Sequence, residues 1–442
     1  MATRSGVAAV AATRKKSSPK TLAALTSAAL ALPGMTSHSH AATPPTKVEL
    51  EGGLFYYDEG PDRVRVATVQ QQALTPVGDN FDVKLNAVYD AISGASPIYN
   101  VPTLECPGGT VIQPTTGGAE TVSGASGASG SSTSPLPRPR GGIPYTQSGC
   151  KPIGVQQVIS PTPFDDRRVA VDLKANHYRG DTTFGVGLGI SDEEDYRSNF
   201  LTLDLRQDLN EKRTTLALGF SLADDKVMPV NDPGFIGDKQ TLQYLVGLTQ
   251  ILDKYSITQV NLTYSNAAGY LTDPYKDVFV LDSNSVVPER RPDERGQWNL
   301  LGRYVRFVPA LDAAVHLDYR YSWDDWGVTA NTLETSWIQT LGAGWQATFG
   351  VRYYSQGAAD FYQDYFDTLP SSGGYTSDYR LATFGALGYR LRLSKALSES
   401  VRIDAGIEYY DRRVGLALDS TDNSDTADYD YLTFNLGWKV SF

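Results

Sequence analysis

The stretch Leu432-Thr433-Phe434-Asn435-Leu436-Gly437-Trp438-Lys439-Val440-Ser441-Phe442 decides the fold. Leu432, Phe434, Leu436, Trp438, Val440 and Phe442 fall on every second residue, with Thr433, Asn435, Gly437, Lys439 and Ser441 between them. Side chains of an extended chain point alternately to opposite sides. A strict period of two therefore gives a strand with one apolar and one polar face.

The same pattern recurs along the chain. Phe81, Val83, Leu85, Ala87 and Tyr89 oppose Asp82, Lys84, Asn86 and Asp90. Val169, Val171 and Leu173 alternate with Asp172 and Lys174; Leu201, Leu203 and Leu205 with Thr202, Asp204 and Arg206. Val315, Leu317, Tyr319, Tyr321 and Trp323 alternate with His316, Asp318 and Arg320, and Val401, Ile403 and Ile407 with Arg402, Asp404 and Glu408. The connections alternate too. Tight turns are expected near 74–79, 178–181, 210–213, 253–255, 309–312, 341–344 and 396–400. Loops fall between them, near 58–61, 92–164, 192–197, 226–238, 267–294, 324–329, 356–378 and 414–429. Short turns at one end and longer loops at the other belong to a transmembrane antiparallel β-barrel. Counting back from Phe442 gives about 16 strands, the first near 48–57, with 14–18 compatible with the pattern.

Closure lets such a chain live in lipid, because every backbone amide and carbonyl finds a neighbouring strand. A Lys or Arg facing lipid at mid-depth costs about 2–4 kcal/mol, so the charged face must point inward. Both signs occur on that face, and no simple ion selectivity follows from the sequence. The 26 Tyr, 15 Phe and 6 Trp, with 41 Gly, suit aromatic girdles at the two membrane interfaces.

Residues 1–41 read as a secretory signal peptide. Arg4, Arg14, Lys15, Lys16 and Lys20 precede the apolar run 21–32, and small residues follow at Ser39, Ala41 and Ala42. That run is too short for a membrane helix, which needs about 20 residues. Cleavage near Ala41 leaves residues 42–442, with Lys+Arg falling from 39 to 34 against 50 acids, a net charge of −16. Such acidity excludes a nucleic-acid partner, whose phosphates demand a basic face. The final strand, with Leu436, Trp438 and the terminal Phe442, resembles the insertion signal that bacterial outer-membrane barrels present to the barrel assembly machinery. Outer-membrane lipid is then the solvent of the apolar face.

The long loop 92–164 breaks the pattern. Residues 117–139 are mostly Gly, Ser, Thr, Ala and Pro, a composition too polar to order itself. Cys106 and Cys150, the only cysteines, bracket that stretch, and in an exported chain they read as a disulfide stapling a flexible loop. Asp90-Ala91-Ile92-Ser93-Gly94-Ala95-Ser96-Pro97, just before it, resembles the flavin-attachment sequence of exported flavin-binding domains. The resemblance implies covalent FMN on Ser96, recognised through Asp90, Ser93, Gly94 and Ala95, with a periplasmic flavin transferase and redox partners. This chain departs from that pattern in having Ser as acceptor instead of Thr, and no flavin-binding domain surrounds it. A tight turn with Gly94 at positive φ is the structural alternative. Across the mature chain, Tyr57-Asp58-Glu59 with Arg63-Val64, the 90–97 stretch and the 429–442 ending resemble the domain-of-unknown-function 3570 family of bacterial outer-membrane barrels. That implies an outer-membrane location and no established activity.

Two further groups carry chemistry. Asp192-Glu193-Glu194-Asp195 and the set Asp419, Asp422, Asp425, Asp428 and Asp430 are dense enough in oxygen to hold Ca²⁺, although solvated acidic loops explain them as well. His177 and His316 are the only histidines after the signal region, and no Gly-x-Ser-x-Gly, His-Glu-x-x-His or Cys-x-x-Cys-His motif accompanies them. The expected function is an outer-membrane channel or scaffold. Its sharper version carries FMN and passes electrons across the envelope. The alternatives are a passive porin for small solutes and a surface-exposed barrel enzyme.

Overall fold

A computed structural model describes residues 44–60, 63–94, 96–113, 120–121, 150–159, 164–419 and 425–442. The signal segment 1–41, Ala95, Asp422 and most of 117–139 lie outside the described residues. Sixteen antiparallel strands close into one barrel, in sequence order around the wall. Numbered for the barrel alone, they are β1 (Glu49–Asp58), β2 (Arg65–Val77), β3 (Phe81–Gly94), β4 (Phe164–Arg179), β5 (Thr182–Asp192), β6 (Tyr196–Leu209), β7 (Thr214–Val227) and β8 (Gly237–Asp253). The second half is β9 (Ser256–Gly269), β10 (Glu294–Val308), β11 (Ala313–Asp324), β12 (Thr329–Gly342), β13 (Trp345–Gln356), β14 (Phe384–Ala396), β15 (Val401–Arg413) and β16 (Tyr429–Ser441). β1 closes the wall by pairing with β16, from Glu49 opposite Ser441 to Asp58 opposite Leu432.

The count and the alternation of turns and loops agree with the sequence pattern. At the short-turn end, the connection from β6 to β7 places Asn210, Glu211 and Lys212 at positive φ. The turn from β12 to β13 does the same with Gly342, Ala343 and Gly344, the conformation that lets a two-strand reversal follow the twist of its strands.

Period two becomes two environments. The outward faces expose Leu188, Ile190, Leu218, Val246, Leu333 and Leu391, whereas inward-facing Asp82, Asp90, Asp204, Asp225, Asp318 and Glu334 are buried against their neighbours. Outward aromatics line up in register: Phe220 faces Tyr244, Tyr244 faces Tyr264, Tyr264 faces Trp298 and Trp298 faces Trp323. Five strands thus share one aromatic row, the interfacial girdle of a membrane barrel. Inside, Gly185, Gly187 and Gly189 leave β5 bare, and a Cβ on Gly185 would lie 2.3 Å from Asp204 Oδ1. Side chains of β6 therefore lie across β5, which accounts for glycine on that face.

The water-excluded core is at the long-loop end. The loop after β3 forms a four-stranded sheet from Pro97–Cys106, Thr110–Gln113, Glu120–Thr121 and Lys151–Ile159. The loop after β9 folds into a hairpin of Asp277–Val280 and Ser285–Pro288. Backbone bridges join this hairpin to the loop after β13 at Val280 with Phe366 and at Arg290 with Tyr375. Trp326, Tyr362, Tyr379, Leu381, Phe384, Val414 and Ala427 pack together beneath them. The described ends of the 92–164 loop are thus ordered sheet, part of a cap over one mouth of the barrel.

Val246 is 57% exposed on β8, between outward Leu218 and Leu262 of the adjoining strands. Val246→Arg should lower stability by about 2–4 kcal/mol in reversible denaturant unfolding from lipid vesicles. Unchanged stability would mean that this face meets water.

Candidate functional site

Two assemblies of charge stand out, one in the cap and one on the barrel wall. In the cap, Asp273, Glu289 and Asp378 meet Lys276, Arg291 and Arg380, three acids against three bases. Arg291 pairs with Glu289 at 2.6 Å and with Asp378 at 2.6 Å. Arg380 Nε donates to Asp378 Oδ2 at 2.7 Å, and the same guanidinium reaches Asp273. Burial alone pushes the Asp378 carboxyl up. The charges of Arg380, Lys276 and Arg291 outweigh it and hold that carboxyl well below the usual carboxylate range. Burial pushes Glu289 up, partly offset by Arg291, and pushes Lys276 down. These residues come from the loops after β9 and β13, so no strand periodicity marks them. Their one sequence signal is the charged run Glu289-Arg290-Arg291 between two prolines.

The flavin-motif residues lie in the barrel wall and at the root of the cap. Asp90 is buried on the inner face of β3, accepting from Thr68 Oγ1 at 2.5 Å and from Arg168 Nε at 2.6 Å. Ser93 pairs across the ladder with Arg65 on one side and Asp165 on the other. Gly94 has φ +120°, and a Cβ there would lie 2.1 Å from the Arg63 carbonyl oxygen, so this position requires glycine. Ser96 Oγ lies 3.4 Å from the buried Lys276 ammonium, which also donates to the Pro97 carbonyl. A structural role accounts for Asp90 and Gly94, and Ser96 lies against the cap beside Lys276.

Cys106 and Cys150 form the expected disulfide. Leu436 and Trp438 face outward on β16, Trp438 over Gly52 of β1, and the Phe442 amide donates to the Val48 carbonyl at 2.9 Å. The acidic sets do not gather as blocks. Asp192 pairs with Arg197 at 2.7 Å, whereas Glu193 and Asp195 join Asp166, with one oxygen of each within 4.8 Å of the others. Burial is the main cause that pushes Glu193 up to about 8, and Asp195 is raised for the same reason. Asp195 accepts from the Tyr275 hydroxyl at 2.6 Å, which ties this loop to the cap. Asp428 accepts from the Val414 amide at 2.7 Å, and Asp430 faces Asp411 across the β15–β16 ladder. His177 stacks on Phe81 at 4.4 Å on the outer face, while His316 is buried on the inner face.

On the wall of β10 to β15, two registered rows of inward residues carry four arginines. One row runs Arg320, Thr332, Tyr354, Ala386, Arg412. The next runs Arg303, Asp318, Glu334, Arg352, Gly388, Tyr410. Arg303 grips Asp318 through two bonds of 2.8 Å. Arg390 pairs with Glu408 at 2.9 Å and Glu334 at 3.3 Å, and Arg392 with Asp404 at 2.6 Å. Arg412 lies 3.3 Å over the Phe384 ring and donates to the Tyr379 carbonyl.

A closed, even-stranded wall with a greasy, aromatic-banded exterior, a charged interior and loops gathered at one end defines a bacterial outer-membrane β-barrel. Within that class the chain belongs to the DUF3570 family, described as a protein of unknown function, which matches residues 22–236 and 232–433. No curated protein matches its sequence. Among solved structures it is similar to a bacterial polysaccharide outer membrane secretin, at 9% identity over 89% of this chain and 98% of that one, with a TM-score of 0.42. It is also similar to the CymD monoaromatic hydrocarbon channel, at 11% identity over 90% and 88%, TM-score 0.38. A third is the outer membrane protein opdK from Pseudomonas aeruginosa, at 10% identity over 90% and 99%, TM-score 0.39.

Asp378→Asn leaves Arg291 and Arg380 buried without their shared carboxylate. The cap should lose about 3–5 kcal/mol, read as faster hydrogen exchange in 270–293 and 357–383 while β1 to β16 stay protected. Glu193 gives a pH signature. Its folded pKa is raised above the unfolded one, so the folded loop holds its proton more tightly, and stability falls as pH climbs from about 4.5 to about 8. Protection of residues 192–197 should therefore increase on acidification through that window, and Glu193→Gln should flatten the dependence.

Proposed function

We propose that this barrel is a passive outer-membrane channel for small polar solutes, the cap narrowing its outer mouth. The observation that carries the reading is the inner face. Strand after strand turns charged groups inward, among them Lys84, Asp172, Lys174, Asp204, Arg303, Arg390 and Arg392. Ionised groups of both signs on an inner wall suit a water-filled lumen, because in a dry interior each ion would cost several kcal/mol. His177 and His316, on opposite faces, cannot serve one reaction centre, which weighs against a barrel enzyme.

In planar bilayers the purified barrel should give discrete conductance steps, and removal of residues 97–159 should enlarge them by opening the cap. A barrel that stays electrically silent in both forms would sink the channel reading. FMN on Ser96, carried as scaffold chemistry for electron transfer, makes a different prediction. Co-expression with a flavin transferase should add the mass of one FMN, and Ser96→Ala should abolish the gain; an unchanged intact mass removes that proposal.

A further inference from the structure

Arg320 and Arg352 lack the carboxylate partner that most arginines of the inner wall have; Arg412, which also lacks one, rests on the Phe384 ring and the Tyr379 carbonyl. Arg303, Arg390 and Arg392 each answer a carboxylate, and Arg295 pairs with Asp324. Arg320 and Arg352 have no carboxylate within ion-pairing distance among the described residues. Their nearest acids are Asp318 and Glu334, which Arg303 and Arg390 already engage. The Arg352 Nε is buried with no acceptor. The two cations also lie in one another's field, on adjoining rows of the same wall. Tyr354, in the row of Arg320, donates its hydroxyl to Gln356 Oε1 at 2.7 Å and lies in the field of Arg352, Arg412, Arg295 and Arg320. Thr332, Ala386 and Gly388 are small inward residues beside these guanidiniums and leave space above the wall, with Glu334 and Glu408 at its edge.

We propose that Arg320 and Arg352 form a binding site in the lumen for a small oxyanion, a carboxylate or phosphate group, and give the pore a preference for anionic solutes. The preference rests on the channel reading; the site itself does not. The physical case is one of missing acceptors. A guanidinium offers five N–H donors in a planar fork that fits two oxygens of one anion. Two such forks in one another's field repel each other, and the buried Arg352 Nε has no acceptor. An oxyanion seated between them relieves the repulsion and completes both donor sets in one step. Elsewhere on this wall most arginines pair with a protein carboxylate. Here Arg320 and Arg352 have only Asp318 and Glu334 beside them, which Arg303 and Arg390 already engage, so guanidiniums outnumber carboxylates.

Inorganic phosphate titrated into the detergent-folded barrel by calorimetry tests the site without requiring transport. The native protein should bind phosphate, and acetate more weakly. Arg320→Gln and Arg352→Gln should each weaken binding roughly tenfold, the loss expected for one charge-assisted hydrogen bond. Arg320→Lys with Arg352→Lys keeps the charge but not the forks, and should recover anion preference more than affinity. Band shift on heating in gel electrophoresis establishes that each variant is folded. In bilayers, the reversal potential across a KCl gradient should mark the native pore as anion-selective, and the double glutamine variant should move it towards cations. Phosphate binding by a silent barrel would overturn the channel reading and leave the site standing. A conducting barrel that binds no phosphate, or whose selectivity ignores both arginines, overturns the site and leaves the channel.

Discussion

Hydrocarbon offers no partner to a peptide amide or carbonyl, so a chain that crosses it with strands must satisfy every one of them within its own sheet. The pairing of β1 with β16 does this, and everything else in the molecule follows from it. Closure forces an inside and an outside, and the period of two then sends Leu188, Val246 and Leu391 to one and Asp204, Asp318 and Arg390 to the other. At the seam the Lys439 ammonium meets Glu49 at 2.6 Å and Glu51 at 3.2 Å, an ionic clasp near the short-turn rim.

The interior organises its charge by register. Antiparallel neighbours place Arg303 opposite Asp318, Asp318 opposite Glu334, and Glu334 opposite Arg352, so most cations find an acid one strand away. Cross-strand pairs of opposite charge stabilise a sheet by tenths of a kcal/mol to about 1 kcal/mol each, while like charges directly opposite cost about as much. Asp318 facing Glu334 is such a like pair. It persists because each acid has an arginine of its own, Arg303 for one and Arg390 for the other. Where the neighbouring acids are already taken by other arginines, as Asp318 and Glu334 are beside Arg320 and Arg352, the wall has an electrostatic demand that its own side chains do not meet.

The cap obeys a different rule. Away from lipid, its loops bury a conventional core of Trp326, Tyr362, Tyr379 and Phe384, with the ionic cluster of Asp273, Asp378, Arg291 and Arg380 alongside. Breaking one member of a buried ion set leaves its partners uncompensated, which is far more costly than the set's net contribution to stability. The cluster therefore fixes how the loops after β9 and β13 fit together. The sheet of 97–159 is tied to them through Asn100, whose amide reaches Asp364 and the Ser377 carbonyl, and through Lys276.

The amino-acid order alone determined the wall to within a strand pair: about sixteen strands, which residues face lipid, where the turns and loops fall, and the pairing of Cys106 with Cys150. Those features rest on neighbours two apart, on chain reversals a few residues long and on a single pair of cysteines, so the information is local. Glu193 and Asp195 joining Asp166 while Asp192 turns away, Asp90 locked by Arg168 across 78 positions, and Ser96 against Lys276 across 180 were decided only in three dimensions. The residue types at 90–96 left a flavin-attachment segment and a tight turn at Gly94 both open; β3 pairing on both edges and Gly94 at positive φ, pressed on the Arg63 carbonyl, fix 90–94 as the end of a barrel strand. Which arginines keep an acid and which do not depends on strand register around a closed cylinder. That quantity is fixed by hydrogen bonds between segments tens of residues apart, and no window along the chain contains it.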